Sequence, residues 1–120
     1  MTPAKFLAAR LDEAEAIATA ANLFDEQLHA GACGWRLGEG METECSCDAQ
    51  KRALADIEAK RAIIRDADTF ARLAADPEAG DTWRNIAAGL STAADRAVGH
   101  LAAVHAGHPD YDPTWLLVVQ

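Results

Sequence analysis

Apolar side chains recur at intervals of three and four residues along three long stretches of this chain. This spacing places them on one face of an α-helix. No stretch alternates apolar with polar residues, which is the pattern that a half-buried β-strand shows. Alanine is the commonest apolar residue and has the highest intrinsic helix propensity. The spacing therefore predicts an all-α fold built from three long helices.

Capping residues give the expected limits of the first two helices. Thr2 suits an N-cap, and Pro3 suits the first helical position because its missing N–H would have no partner there. Gly31 is a natural stop, so helix 1 is predicted at about 3–30. Helix 2 is predicted at about 48–75, since a proline two residues later ends it.

The third helix is predicted at about 82–106, with its N-cap at Asp81 or the threonine after it. Gly107 is expected to close it with a left-handed cap. Gly89 and Gly99 lie inside the helix, where each costs about 1 kcal/mol relative to alanine. We interpret both glycines as places where another helix approaches closely.

Each predicted helix has an apolar face. On helix 1 this face comprises Leu7, Leu11, Ala14, Ala18, Ala21 and Leu28, with Ile17 and Phe24 beside it. On helix 2 it comprises Leu54, Ile57, Ile64, Ala67 and Ala71, with Ile63, Phe70 and Leu73 beside it. On helix 3 it comprises Trp83, Ile86, Leu90, Ala94, Ala97, Leu101 and Val104, with Val98 beside it.

The length of 120 residues predicts a single helical domain over 1–120. Three helices joined by one long loop and one short turn favour an up-down-up bundle. The loop at 31–47 contains four glycines and all three cysteines, and a loop this long in a compact domain is either functional or partly mobile. Alanine-rich faces leave a thin core, so we expect the monomer to be marginally stable or to form a homodimer.

The C-terminal segment 107–120 contains the sequence HPDYDPTW. Asp112 followed by Pro113 repeats the signals that open helix 1, a capping side chain and then a proline. This pattern predicts a short terminal helix that runs to about Val119.

Two interpretations of this segment are open. In the first, Trp115, Leu116 and Val119 fold back over the open end of the bundle. In the second, Tyr111 and Trp115 are exposed and anchor a partner protein, as aromatic side chains often do in interfaces. The candidate binding residues are Trp35, His108, Asp110, Tyr111 and Trp115.

The chain carries 19 acidic and 11 basic residues and a net charge of −8. This charge argues against nucleic acid or an anionic membrane as a general partner. The first residues lack the apolar core of a signal peptide, and no apolar run approaches the roughly 20 residues that a membrane span needs. An odd number of cysteines does not predict a disulfide framework. We therefore expect a cytoplasmic protein.

One set of residues is a candidate metal site. His29, Cys33, Cys45 and Cys47 offer the nitrogen and thiolate ligands that tetrahedral zinc takes. The Cys-x-Cys spacing differs from the usual Cys-x2-Cys knuckle. Three free thiols or a redox pair are the alternatives, and no other cofactor is expected.

No pattern predicts catalysis. Acidic pairs such as Glu13 and Glu15 are two residues apart and point to different sides of a helix, so they do not form an acid–base couple. Phosphate-binding, dinucleotide-binding and G-x-S-x-G motifs do not occur. We therefore do not expect an enzyme.

Several motifs, taken in order, resemble a family of small uncharacterised proteins from actinobacteria and their phages. These are FLAARLDEAE at 6–15, GWR at 34–36, LADIEAKR at 54–61, and HPDY at 108–111 followed by Trp115. The resemblance implies an actinobacterial or phage setting and hence the cytoplasm, and it implies no known activity.

The first functional hypothesis is a small helical protein that binds another protein or a second copy of itself and acts as a host-directed modulator. The second is a zinc-stabilised module in which the 31–47 loop is the active element. The third is an acidic decoy of nucleic acid, although six of the eleven basic residues lie in the helix 2 region and interrupt a negative face.

Overall fold

The computed structural model describes residues 1–38 and 46–115, and the side chains of residues 1–20 and 49–115. Its three α-helices are α1 at Pro3–Gly38, α2 at Ser46–Ala75 and α3 at Asp81–Ala103. No β-strand occurs in these described ranges. The predicted all-α fold with three long helices is confirmed.

Helix α1 begins as its capping residues predict. The Thr2 Oγ1 atom accepts a hydrogen bond from the Lys5 N–H at 3.2 Å, and the Thr2 carbonyl accepts one from the Phe6 N–H at 3.0 Å. The prediction that the helix ends at Gly31 is wrong, because α1 continues to Gly38. A glycine costs about 1 kcal/mol in a helix but can still adopt helical dihedral angles, so it does not end a helix unaided.

The limits of α2 agree with the sequence. The helix ends at Ala75, and the Asp76 Oδ1 atom accepts the Glu78 N–H at 2.9 Å in a turn that holds Pro77. An ion pair between Asp68 and Arg72 is present on its surface. Both side chains are exposed, so this pair contributes only a few tenths of a kcal/mol, roughly the value for helical i,i+4 pairs.

Helix α3 ends earlier and differently than predicted. Its C-cap is Val104 in a right-handed conformation, and Gly107 does not adopt the left-handed conformation expected of it. The chain instead leaves the helix through successive i→i+3 turns. The His105 N–H donates to the Ala102 carbonyl at 2.9 Å, and the next turns follow the same pattern. Such turns satisfy the terminal carbonyls without a positive φ.

Contacts divide the chain into two units. One comprises residues 1–10 and 59–120, which supply the first turns of α1, the second half of α2, all of α3 and the C-terminal segment. The other comprises residues 11–58 and contains the buried side chains of Leu11 and Ile57.

The predicted core face of α3 is largely wrong. Trp83 is 70% exposed, and Ile86 and Leu90 are about half exposed. The buried residues of this helix are Ala87, Val98, Gly99 and Ala102. This buried face is rotated by roughly a quarter turn from the predicted one. Small side chains let α3 lie close to its neighbours, and the large apolar side chains point into solvent.

Gly89 provides a test of this orientation. No atom lies within 4 Å of a Cβ built on it, so the predicted close approach at Gly89 is wrong, whereas Gly99 is buried. We expect Gly89→Ala to raise the free energy of unfolding by about 1 kcal/mol through helix propensity alone. Urea denaturation measures the change. Gly107→Ala adds the same methyl group in open space outside the helix and should change stability by less than about 0.5 kcal/mol.

Candidate functional site

Aromatic rings from the C-terminal segment surround Phe6 of α1. The rings of Tyr111 and Trp115 lie 5.7 and 5.2 Å from the Phe6 ring, and those of His105 and His108 lie 6.2 and 5.6 Å from it, all measured between centroids. Phe6 is fully buried, and Tyr111 and Trp115 are nearly so. We call these five residues the aromatic cluster. Ala102 packs into it and ties it to the end of α3.

Local hydrogen bonds hold the chain in this path. The His108 Nδ1 atom accepts the Asp110 N–H at 3.0 Å. The Asp112 Oδ1 atom accepts the Thr114 N–H at 2.9 Å and the Thr114 hydroxyl at 2.7 Å. Asp112 therefore acts as the capping residue that the sequence predicts. Trp115 is helical, and the rest of the predicted terminal helix lies outside the described residues.

The hydrogen bonds that Asp112 accepts lower the pKa of its carboxyl group. The backbone hydrogen bond from Thr114, followed by the bond from its hydroxyl, holds the pKa of the Asp112 carboxyl below its ordinary value of 3.8. The ionised form is therefore favoured in the folded protein. Its contribution to stability is present at neutral pH and is lost as the pH falls below 3.8 toward the lowered pKa.

Lowering the pH should therefore reduce the free energy of unfolding more in the wild-type protein than in the Asp112→Asn variant. Asparagine retains an oxygen that accepts the Thr114 N–H, and it does not titrate. Urea unfolding at about pH 7 and about pH 3 measures the stability of both proteins, and the difference between them should change across this interval. If the two proteins differ in the free energy of unfolding by the same amount at both pH values, the ionised Asp112 carboxyl does not stabilise the fold as a cap.

A cation and an unpaired hydroxyl border the aromatic cluster. The Arg10 guanidinium lies over the Phe6 ring, with its central carbon 5.2 Å from the ring centroid, within range of a cation–π contact. The Tyr111 hydroxyl is buried and has no hydrogen-bond partner in the structure. Leaving a buried hydroxyl without a partner costs about 1–3 kcal/mol.

Removing this hydroxyl should not destabilise the protein. We expect Tyr111→Phe to retain the ring contacts and to leave the free energy of unfolding unchanged or higher by up to about 1 kcal/mol. Tyr111→Leu is the matched control, because it removes the ring and should destabilise. Chemical denaturation compares the two, and a loss above about 1 kcal/mol in Tyr111→Phe would mean that the hydroxyl has a partner.

The aromatic cluster distinguishes between the two interpretations of the C-terminal segment. Tyr111 and Trp115 are only 7% and 8% exposed, so the segment is tucked against α1 as far as Trp115. In this structure their rings pack against Phe6, so they are not exposed anchors here, and their role in binding a partner stays a prediction. His108 is half-buried and Asp110 is exposed. The predicted contacts of Leu116 and Val119 lie outside the described residues.

A second feature is an apolar surface on α3, which we call the α3 face. It consists of Trp83, Ile86 and Leu90, which follow one another at intervals of three and four residues and are 70%, 48% and 44% exposed. A salt bridge between Asp81 and Arg84 lies in the first turn of the same helix. Single exposed apolar residues are normal, but a contiguous apolar surface that contains a tryptophan is typical of a binding surface.

Other predicted site residues lie outside the described part of the chain. The backbone of Trp35 belongs to α1 and not to a loop, but its side chain is not described. The side chains of the candidate zinc ligands His29, Cys33, Cys45 and Cys47 also lie outside the described part of the chain, so zinc binding stays a prediction. Among the described residues, no group of three or more His, Cys, Asp or Glu side chains is placed to hold a metal ion. No helix in that part is both long and apolar enough to cross a membrane.

Sequence reasoning missed Phe6. It lies one position before Leu7, about 100° around the helix from the predicted face, and therefore contacts a different part of the chain. The sequence feature that points to Phe6 is the aromatic pair Tyr111 and Trp115, because two neighbouring rings need an apolar partner. A phenylalanine in the first turns of a helix that has Arg10 one turn later is well placed to be that partner.

These features define a small all-α protein whose C-terminal segment packs on the start of its first helix. Among known families, the model of DUF6221, a family of unknown function, matches residues 1–117. The chain therefore belongs to this family. No curated protein and no solved structure matches the chain.

Proposed function

We propose that this chain is a protein-binding module and that the α3 face is its binding surface. The observation that carries the proposal is the 70% exposure of Trp83 beside Ile86 and Leu90. Burying these three side chains against a partner would remove apolar surface from water, at about 25 cal/mol per Å². Tryptophan is also among the residues that most often dominate binding energy in protein interfaces.

The rest of the molecule supports this use of α3. Its other face is buried through Ala87, Val98 and Ala102, and its C-terminal end is held by the aromatic cluster. A surface on a helix fixed in this way loses little conformational entropy on binding. The aromatic cluster therefore acts as a support, and the α3 face as the recognition element.

The resemblance to actinobacterial and phage proteins suggests a partner in an actinobacterial cell, where this chain would act as a modulator.

The test compares two variants that introduce the same residue on different sides of α3. Leu90→Gln lies on the α3 face, whereas Ala88→Gln lies on the exposed side away from it. We expect tagged wild-type and Ala88→Gln proteins to recover the same partner from an actinobacterial lysate, and Leu90→Gln to lose it. Recovery that is equal for all three would exclude the α3 face as the binding surface.

A further inference from the structure

We propose that residues 107–115, which we call the strap, open from α1 as a unit while α1, α2 and α3 stay folded. In the closed state of the strap, Tyr111 and Trp115 are only 7% and 8% exposed and Phe6 is fully buried. Opening uncovers these three rings, so Tyr111 and Trp115 are accessible to a partner only in the open state. The proposal does not depend on the binding role of the α3 face.

Three rings of the strap converge on the ring of Phe6. The centroids of the His108, Tyr111 and Trp115 rings lie 5.6, 5.7 and 5.2 Å from the Phe6 centroid. The Tyr111 and Trp115 rings also contact each other, with centroids 5.1 Å apart. Because these contacts share one ring on α1, displacing one strap ring removes support from the other two. We therefore expect the strap to detach in one step and not residue by residue.

Local hydrogen bonds close the turns of the strap. The Tyr111 N–H donates to the His108 carbonyl at 3.0 Å, and the Trp115 N–H donates to the Asp112 carbonyl at 3.1 Å. None of these bonds reaches α1, so detaching the strap does not require that they break first. Turns of this length are marginally stable in water on their own. The N–H groups of Tyr111 and Trp115 are therefore expected to exchange with water once the strap is open.

A buried hydroxyl opposes the closed state. The Tyr111 hydroxyl has no hydrogen-bond partner in the structure, although the residue is more than nine-tenths buried. Burying a hydroxyl without a partner costs free energy, which is recovered when water reaches the group. Opening the strap hydrates this hydroxyl, whereas closing the strap buries it again. Phenylalanine at position 111 removes the cost and should make the open state about fivefold rarer.

Gly107 provides a joint between α3 and the rings of the strap. It is exposed, and no atom lies within 4 Å of a Cβ built on it. The dihedral angles of an unhindered glycine change at little steric cost, so the chain can turn at this position. Val98 of α3 is buried and does not belong to the aromatic cluster. Helix α3 therefore has buried contacts that the strap does not supply, and it can stay folded when the strap opens.

Amide hydrogen exchange on the full chain, followed by nuclear magnetic resonance, tests the proposal. After correction for intrinsic rates, the Tyr111 and Trp115 N–H groups should exchange at least about tenfold faster than that of Val98. Low concentrations of urea should speed the exchange of Val98 strongly and that of the strap only slightly, because opening the strap exposes less surface than global unfolding. Equal rates with equal urea dependence at all three residues would overturn the strap, because the segment would then open only on global unfolding.

The Gly89→Ala variant separates local opening from global unfolding. It stabilises α3 through helix propensity, so it should slow the exchange of the Val98 N–H by about fivefold. The strap opens while α3 is folded, so the exchange of Tyr111 and Trp115 should stay the same in this variant. Slowing by the same factor at all three residues would overturn the proposal.

The same measurement tests whether the strap opens in one step and whether the hydroxyl opposes its closing. The corrected rates of Tyr111 and Trp115 should agree within about threefold, and a difference above about tenfold would overturn opening as a unit. In Tyr111→Phe, the Trp115 N–H should exchange about fivefold more slowly than in the wild-type protein. An unchanged rate in this variant would overturn the role of the buried hydroxyl.

Discussion

Replacing Phe6 by alanine is expected to lower the free energy of unfolding by about 3–5 kcal/mol. Phe6 is fully buried, and four other rings of the aromatic cluster lie around it. Removing its ring leaves a cavity that the neighbours fill only in part, and the Arg10 guanidinium loses the ring beneath it. Domains of this size are stable by only about 5–15 kcal/mol, so the loss is a large fraction of the total.

Urea denaturation followed by circular dichroism measures this loss. Ile17→Ala is the matched control, because Ile17 lies on the same helix and is 71% exposed. We expect that control to change stability by less than about 0.5 kcal/mol. A loss below about 1 kcal/mol in Phe6→Ala would show that the aromatic cluster does not hold the C-terminal segment in solution.

The sequence predicts most of the backbone of this fold. The start of α1 follows from Thr2 and Pro3, and the end of α2 from Asp76 and Pro77, because these residues act locally. The cap at Asp112 is predictable for the same reason. The end of α1 was mispredicted because glycine lowers helix stability only modestly, so Gly31 does not end the helix unaided.

The sequence does not predict which side of α3 is buried. Apolar residues cover more than half of its circumference, so the periodicity is compatible with two adjacent faces. Packing selects the face with Ala87 and Ala102, since small side chains allow close approach. The row of larger apolar side chains that includes Trp83 is then exposed to solvent. Periodicity alone cannot separate a face that is buried within one chain from a face that binds another.

The site was partly predictable as well. The sequence singles out Tyr111 and Trp115 and gives two interpretations of them, one tucked and one exposed. Only the position of Phe6 in three dimensions decides between these interpretations, because the two parts are about a hundred residues apart in sequence. The predicted roles of Trp35 and of the cysteines remain predictions.

The two described tryptophan side chains should respond very differently to the same substitution. Trp115 is 8% exposed and Trp83 is 70% exposed. We expect Trp115→Ala to lower the free energy of unfolding by about 3–5 kcal/mol. Trp83→Ala should change it by less than about 0.5 kcal/mol, because little of this side chain is buried.

Unfolding in urea compares the two variants directly, and each serves as the control for the other. Similar losses in both would mean that Trp83 is covered in solution by part of its own chain. A small loss in Trp115→Ala alone would mean that the C-terminal segment detaches readily, which would again make Tyr111 and Trp115 available to a partner.

A double-mutant cycle separates the Phe6–Trp115 contact from simple burial. Their ring centroids lie 5.2 Å apart at an interplanar angle of 55°, a tilted arrangement within the range of favourable aromatic pairs. Leucine at each position keeps most of the apolar volume and removes the aromatic contact. The coupling energy should be about 0.5–1.5 kcal/mol, and additive losses would show that the two rings stabilise the protein independently. Coupling would mean that the start of α1 and the C-terminal segment fold as one unit, since each ring would depend on the other for its packing.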